Sequence, residues 1–350
     1  MVELNEAIES EIATVELAAA ALGILDEAVK SSPLAPAWHF RQINSAVARS
    51  LRTEGTHATD DDVAAIIAET PARRTDPPFQ RRLLIGRLQL VRQCFECPNP
   101  ASLARCDADP ATPELNEIAQ ILGVLATRKH DGAIAAAARV SREILAQRDI
   151  RPGMLQIALP VWFHLAGITS APLYGLYDLP EIRPQSDPLP LPQWRISFAS
   201  NIGRAAHRGR KLLRTLNATW EEWLNRMSPS SNRSRMPQAL QIALRSPRMT
   251  PTFLAECLGI TVAGAQKMLE AMQLYGIVNR QLVPRKPAVY MPIAYSPDTM
   301  TAARAIKRPQ RQDLDRINAT MDSLSSDVDA ILERSMRAVA SFAVDPRRGG

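Results

Sequence analysis

The sequence predicts a mainly α-helical protein, with an N-terminal helical domain, a C-terminal winged helix-turn-helix and a long terminal helix. Three observations lead there. Alanine and leucine are abundant while only 5% of the 350 residues are aromatic, and such side chains lose little entropy in a helix. Apolar residues recur at spacings of three and four through most of the chain. Hydrophobic residues at 46% and charged residues at 22% supply ordinary globular cores, and the length suits about two domains.

In chain order, residues 3–30 read as one amphipathic helix with Leu4, Ile8, Ile12, Val15, Leu17, Leu22, Ile24 and Leu25 apolar, ended by Ser31-Ser32-Pro33. A second helix runs from Pro36 to about Arg52, because proline is tolerated in a first turn. Thr59 ahead of Asp60-Asp61-Asp62 reads as a cap for a helix over 60–69, since carboxylates suit the positive end of a helix dipole. After the basic, proline-containing break at 73–78, further helices are expected at 79–96, 113–127 and 131–148. Pro152-Gly153 reads as a joint. Prolines at 172, 180, 184, 188, 190 and 192 make 171–193 an irregular connection, because each removes an amide hydrogen and obstructs the preceding turn. Helix returns over 194–227, and Ser228 to Arg235 is polar and turn-rich, as in a linker.

The segment 238–292 carries the most information. A short helix over 238–249 precedes Thr250, which can cap a helix starting at Pro251. Gly259 can close that helix in the left-handed conformation. Ile260 is expected to pack inward and Thr261 to cap a second helix, buried through Val262, Ala265, Met268, Leu269 and Met272 and ended by Gly276. Two short strands around 277–280 and 289–291, with a basic loop between them, read as a wing. Helix, tight glycine turn and helix is the arrangement that presents a second helix to the DNA major groove. The candidate contacts are Thr261, Ala263, Gly264, Gln266 and Lys267 on that helix, with Arg280, Arg285 and Lys286 on the wing. Wing cations would neutralise phosphates whatever the sequence. Gln266 has the groups to read a base edge through two hydrogen bonds, typically about 1–3 kcal/mol of discrimination. Residues 228–300 hold 8 basic and 3 acidic side chains.

Charge is uneven elsewhere. Residues 1–70 carry 4 Lys/Arg against 12 Asp/Glu, and the other 280 carry 38 against 24. A basic body suits a polyanion. No acidic residue lies between Asp187 and Glu221, and Arg204, Arg208 and Lys211 share one helix face there. They form a possible second basic patch, to be weighed against a solvated surface. Trp220 and Trp223 read as core anchors. In the last segment Leu314, Ile317, Met321, Leu324, Val328 and Ile331 make a narrow seam suited to a coiled coil between two chains, hence to a homodimer. A helix packed on its own body is the alternative.

Residues 249–291 resemble the winged helix that ends many bacterial regulators, including those attached to Fic-domain proteins. Residues 38–70 resemble the N-terminal helical part of Fic proteins. There Ser50-Leu51-Arg52-Thr53-Glu54-Gly55 matches their inhibitory pattern, whose glutamate pairs with an active-site arginine. The Fic catalytic signature, His-Pro-Phe followed by a glycine-asparagine loop, is absent: none of His39, His57, His130, His164 and His207 precedes Pro-Phe. The order of segments is also similar to a bacterial family of unknown function with a C-terminal helix-turn-helix. That resemblance implies DNA binding and leaves the target open.

Enzyme signatures are otherwise missing. No Ser-His-Asp set or glycine-rich phosphate loop can be proposed. Cys94-x-x-Cys97 with Cys106 has the spacing for zinc, with Asp107 or His130 as a fourth ligand, but no second Cys-x-x-Cys exists and free thiols are preferred. No metal and no cofactor are expected. No apolar run of 18 residues occurs and the acidic N-terminus is unlike a secretion leader, so no membrane and a cytoplasmic location are expected. The expected organisation is a helical domain over 1–227, a linker at 228–237, the winged helix-turn-helix at 238–295 and a long helix at 305–342. The expected function is a non-enzymatic regulator that binds double-stranded DNA. The alternatives are a protein-interaction adaptor whose winged helix docks protein and a diverged Fic-like nucleotidyltransferase.

Overall fold

A computed structural model describes residues 2–68, 78–98, 113–147, 150–175, 190–227, 235–282 and 288–293. The expected long helix at 305–342, the core of the linker and most of the proline-rich connection lie outside the described residues. The protein is mainly helical, and the chain divides into two compact units, residues 1–217 and 218–350.

In the first unit, α1 (Val2–Lys30) and α2 (Ala35–Thr53) are followed by α3 (Asp60–Ile67) and α4 (Pro78–Glu96). Then come α5 (Pro113–Thr127), a 3-10 turn at Lys129–Asp131, α6 (Ala133–Gln147) and α7 (Pro152–Leu165). The long α8 (Leu191–Arg226) runs across the boundary into the second unit.

The helix ends follow their capping residues. Thr59 Oγ1 accepts from the Asp62 amide while the Asp62 carboxylate accepts from the Thr59 amide. This reciprocal box satisfies two amides that have no partner inside the helix.

α7 occupies the centre of the unit, packed on α2, α4, α5 and α6. Every residue from Gly153 to Phe163 is buried, including Pro160. At the joint expected at Pro152-Gly153 a helix begins: Pro152 opens its first turn, where the missing amide hydrogen is not needed, and Gly153 lies inside it. A helix that is apolar all round belongs inside a core and has no face for periodicity to detect.

α1 lies parallel to α8. Arg195 Nη1 meets Glu11 Oε1 at 3.0 Å, Ala18 lies against Gly203, and Ser32 Oγ donates to Asn217 Oδ1 at 3.3 Å. The buried positions Ala18, Leu22, Leu25 and Val29 on α1, and Phe198, Ile202 and Ala205 on α8, step by three and four as helix–helix seams do. Ile12, Leu17 and Ile24, expected on the buried side of α1, are instead 51–71% exposed. The helix is covered on one side only, and these three lie off that stripe.

Three tryptophans bind the layers. The indole N–H groups of Trp38, Trp162 and Trp194 donate to the carbonyls of Gly209, Ala133 and Ala138 at 2.6–3.0 Å. Each large ring is thereby buried with its one polar atom satisfied.

The second unit continues with α9 (Met236–Arg245), α10 (Pro251–Leu258) and α11 (Val262–Leu274), then β1 (Val278–Gln281) and β2 (Val289–Pro292). The strands pair antiparallel, with Val278 opposite Pro292 and Arg280 opposite Tyr290. On the other edge of β2, Met249 and Tyr290 exchange backbone hydrogen bonds of 2.9 and 2.8 Å. No helix among the described residues is long and apolar enough to cross a membrane.

Candidate nucleic-acid interface

Three residues set the geometry around α10 and α11. Thr250 Oγ1 accepts from the Phe253 amide and starts α10. Gly259 ends it in the left-handed conformation (φ 61°, ψ 44°), which glycine adopts without the Cβ clash of other residues. Thr261 Oγ1 then accepts from the Gly264 amide at 3.1 Å and starts α11. With one hydroxyl lone pair engaged, the Thr261 O–H remains a donor.

α11 is clamped from within by Ala265, Met268, Leu269, Ala271 and Met272, all buried. Its outward positions are Thr261, Val262, Ala263, Lys267, Glu270, Gln273 and Leu274, all exposed. Val262 was expected inside, but it is 50% exposed, because it stands at the first position of the helix beyond the reach of the α10 packing. Ile260 is half-buried, as its inward packing requires. Gly264 is half-buried, and a Cβ there would meet Thr261 Oγ1 at 3.2 Å. Ala263 and Gly264 therefore keep the surface at the start of α11 low.

Gln266 is held. Its Nε2 donates to Glu270 Oε1 at 2.6 Å and to the Tyr290 hydroxyl at 2.9 Å. Both amide hydrogens are engaged, so the two-bond readout expected of Gln266 is not open to it in this conformation.

Lys267 and Arg280 are exposed, one turn along α11 and on β1 respectively. Arg285 and Lys286 lie outside the described residues. Arg235 Nη1 donates to the carbonyl of Leu258, and Arg226 Nη1 reaches the carbonyl of Gly276 at 3.5 Å. These two arginines thus sit at helix C-termini, where a cation meets the negative end of the dipole.

In the first unit, Arg204, His207, Arg208, Lys211 and Arg214 are all exposed on one side of α8. They cover about 15 Å of its length at 1.5 Å per residue. The tryptophans that follow differ: Trp223 is buried and Trp220 half-buried.

Glu54 has an arginine partner, which the sequence did not identify. Arg87 Nη1 and Nη2 donate to its two carboxylate oxygens at 3.0 and 2.8 Å, with the Arg87 and Glu54 side chains only 2% and 15% exposed. Gly153 presses against this pair. A Cβ there would lie 2.2 Å from Glu54 Oε1 and 2.5 Å from the Ser50 carbonyl. The carboxylate thus lies at the start of α7, the positive end of that helix. Nearby, Gln156 Nε2 donates to Thr53 Oγ1 at 2.7 Å. Glu54 is fully accounted for as a buried link among α2, α4 and α7.

His39 and Cys94 carry shifted proton affinities. His39 packs against Trp38 and Phe95 with ring centroids 5.2 and 5.0 Å away. Burial lowers its pKa to about 4, against the smaller opposing pull of Asp26. Burial pushes the Cys94 thiol up to about 12, which disfavours the thiolate a metal requires. Among the described residues no three metal-ligating side chains gather. Cys106 and Asp107 lie outside them. No family model matches the chain, and no curated protein sequence matches it.

Proposed function

We propose that residues 236–293 are a winged helix-turn-helix that binds duplex DNA, with α11 in the major groove and the β1–β2 hairpin beside it. The supporting observation is the outward face of α11. Its first turn carries only Thr261, Val262 and Ala263, and Lys267 follows on the next. Small and apolar side chains admit a groove wall and contact thymine methyls, while the lysine and Arg280 meet phosphates. The exposed basic side of α8 is a second phosphate-binding surface under the same proposal. Dimerisation through residues 311–341 also belongs to it, and sedimentation of the full chain tests that step.

The deciding measurement is fluorescence anisotropy of the full chain on labelled duplexes across a salt series. Affinity should fall steeply with salt. Replacing Lys267, Arg280 and Arg285 together by alanine should reduce the log–log slope by roughly 0.9 for each phosphate contact removed. Binding that is flat with salt, or untouched by the triple change, rules the surface out.

The exposure of Leu274 (59%) and Leu282 (74%), together with a single lysine on α11, favours a second function. In it, the same fold docks a protein partner through an apolar edge. A stable complex in pull-downs, with no duplex retained, would select it. A diverged Fic-like transfer activity is the third possibility. Incubation with labelled ATP tests it, and the missing His-Pro-Phe signature weighs against it.

A further inference from the structure

We infer that Tyr290 and Glu270 hold Gln266 as an acceptor-only reader of DNA, so that the position it meets is read as a base that displays an amino group in the major groove, adenine or cytosine. The inference rests on the winged helix-turn-helix function proposed above, and adds which atoms carry specificity. The orientation of the amide is chemically determined. Glu270 presents a carboxylate oxygen 2.6 Å away, and a carboxylate can only accept, so the atom facing it is the nitrogen. The second amide hydrogen goes to the Tyr290 hydroxyl at 2.9 Å. The carbonyl oxygen of Gln266 makes no hydrogen bond among the described residues.

Tyr290 is itself enclosed and paired on both edges. It is fully buried, its backbone is bonded on one edge to Met249, and on the other it lies opposite Arg280 in the β1–β2 register. Its hydroxyl therefore reaches the one polar side chain of α11 that is half-buried rather than exposed, from a strand anchored independently of that helix. Glu270, one turn beyond Gln266, is also acceptor-only.

The base code then sorts the outcomes. Reading adenine uniquely by an amide needs an acceptor for N6–H and a donor for N7. A held Gln266 has only the acceptor, which serves the adenine N6 and the cytosine N4 amino groups alike. Guanine and thymine present acceptors there and are rejected, because two acceptors would face each other without a proton between them. Tyr290 is on this view a positioning residue that sets degeneracy, while Gln266 makes the contact.

The test is selection of duplexes from a randomised library by the purified full chain, repeated for Gln266→Ala and Tyr290→Phe. Gln266→Ala marks the position by relaxing it. At that position the unchanged chain should accept adenine and cytosine within about two-fold, and reject guanine and thymine. Tyr290→Phe keeps the buried ring and frees one N–H, so it should narrow the position towards adenine by roughly ten-fold, within the discrimination a bidentate contact provides. Selection of adenine over cytosine by the unchanged chain, or the same A/C ratio in Tyr290→Phe, overturns the inference.

A second measurement separates this failure from failure of DNA binding itself. In the DNA-free chain, the Gln266 side-chain amide should give a dispersed, exchange-protected NMR signal that collapses in Tyr290→Phe. Protection without any selected duplex would sink DNA binding and the base reading with it, while leaving the clamp. Selected duplexes without protection would sink the clamp alone.

Discussion

Two polar constellations in this protein use the same device in opposite settings. In the first unit, Arg87 engages both oxygens of Glu54 beneath Gly153, and helices enclose the pair. In the second, Glu270 and Tyr290 engage both amide hydrogens of Gln266, but on a helix whose neighbouring positions face outward. The closed pair is almost wholly withdrawn from solvent, so its consequence is stability. The open one keeps a carbonyl oxygen on a half-buried side chain, so under the proposed function its consequence is recognition.

The difference can be broken experimentally, most severely in the closed pair. Glu54→Ala leaves Arg87 buried and unpaired, which should destabilise the first unit by about 3–5 kcal/mol. Denaturant unfolding followed by Trp38 and Trp194 fluorescence reads this, and duplex affinity of the folded fraction should not change. A loss below about 1 kcal/mol would mean that the pair is not closed to water.

Acid should separate the units next. The folded state lowers the His39 pKa to about 4, from an unfolded value near 6.5. Unfolding therefore takes up a proton between those values. The stability contributed by keeping His39 neutral is present above pH 6.5 and lost as pH falls towards 4, by up to about 3 kcal/mol. His39→Phe should flatten that slope in the first unit only, as hydrogen exchange at pH 4.5 and 7 would reveal.

In the open constellation the effects are on affinity. The combined Lys267→Ala, Arg280→Ala and Arg285→Ala chain should bind duplex on the order of 100-fold more weakly at 0.15 M salt, with unfolding unchanged. Thr261→Ala removes the cap of α11 and should cost about 1 kcal/mol of second-unit stability. The smallest effect should come from Gln266→Ala. Stability should move by less than about 0.5 kcal/mol, as expected near the surface, while base preference relaxes. A large stability loss there would place Gln266 with Glu54 as a structural residue.

Legibility followed sequence distance. Thr59 with Asp62, Thr250 with Phe253 and Thr261 with Gly264 are contacts three residues apart, and each could be read from the side-chain type ahead of an apolar run. Glu54 and Arg87 are 33 residues apart and Gln266 and Tyr290 are 24 apart, and nothing local announces either pair. α7 escaped notice because Pro152-Gly153 read as a joint, and its nearly uniform hydrophobicity leaves little period to detect. Gly153 looked like a hinge residue, yet its lack of a side chain serves the Glu54 carboxylate packed against it.

From its sequence alone this chain determined that it would be helical, where its capped turns fall, and which stretch carries small side chains ahead of a lysine. Those properties arise from backbone preferences and hydrogen bonds within one turn, which neighbours in the chain settle among themselves. Only the tertiary structure decided which face of α1 is covered, that Val262 stands outside, that Glu54 meets Arg87 and that both hydrogens of Gln266 are engaged. Exposure and long-range pairing depend on which surfaces the packed helices exclude from water, and that is a property of the assembled layers.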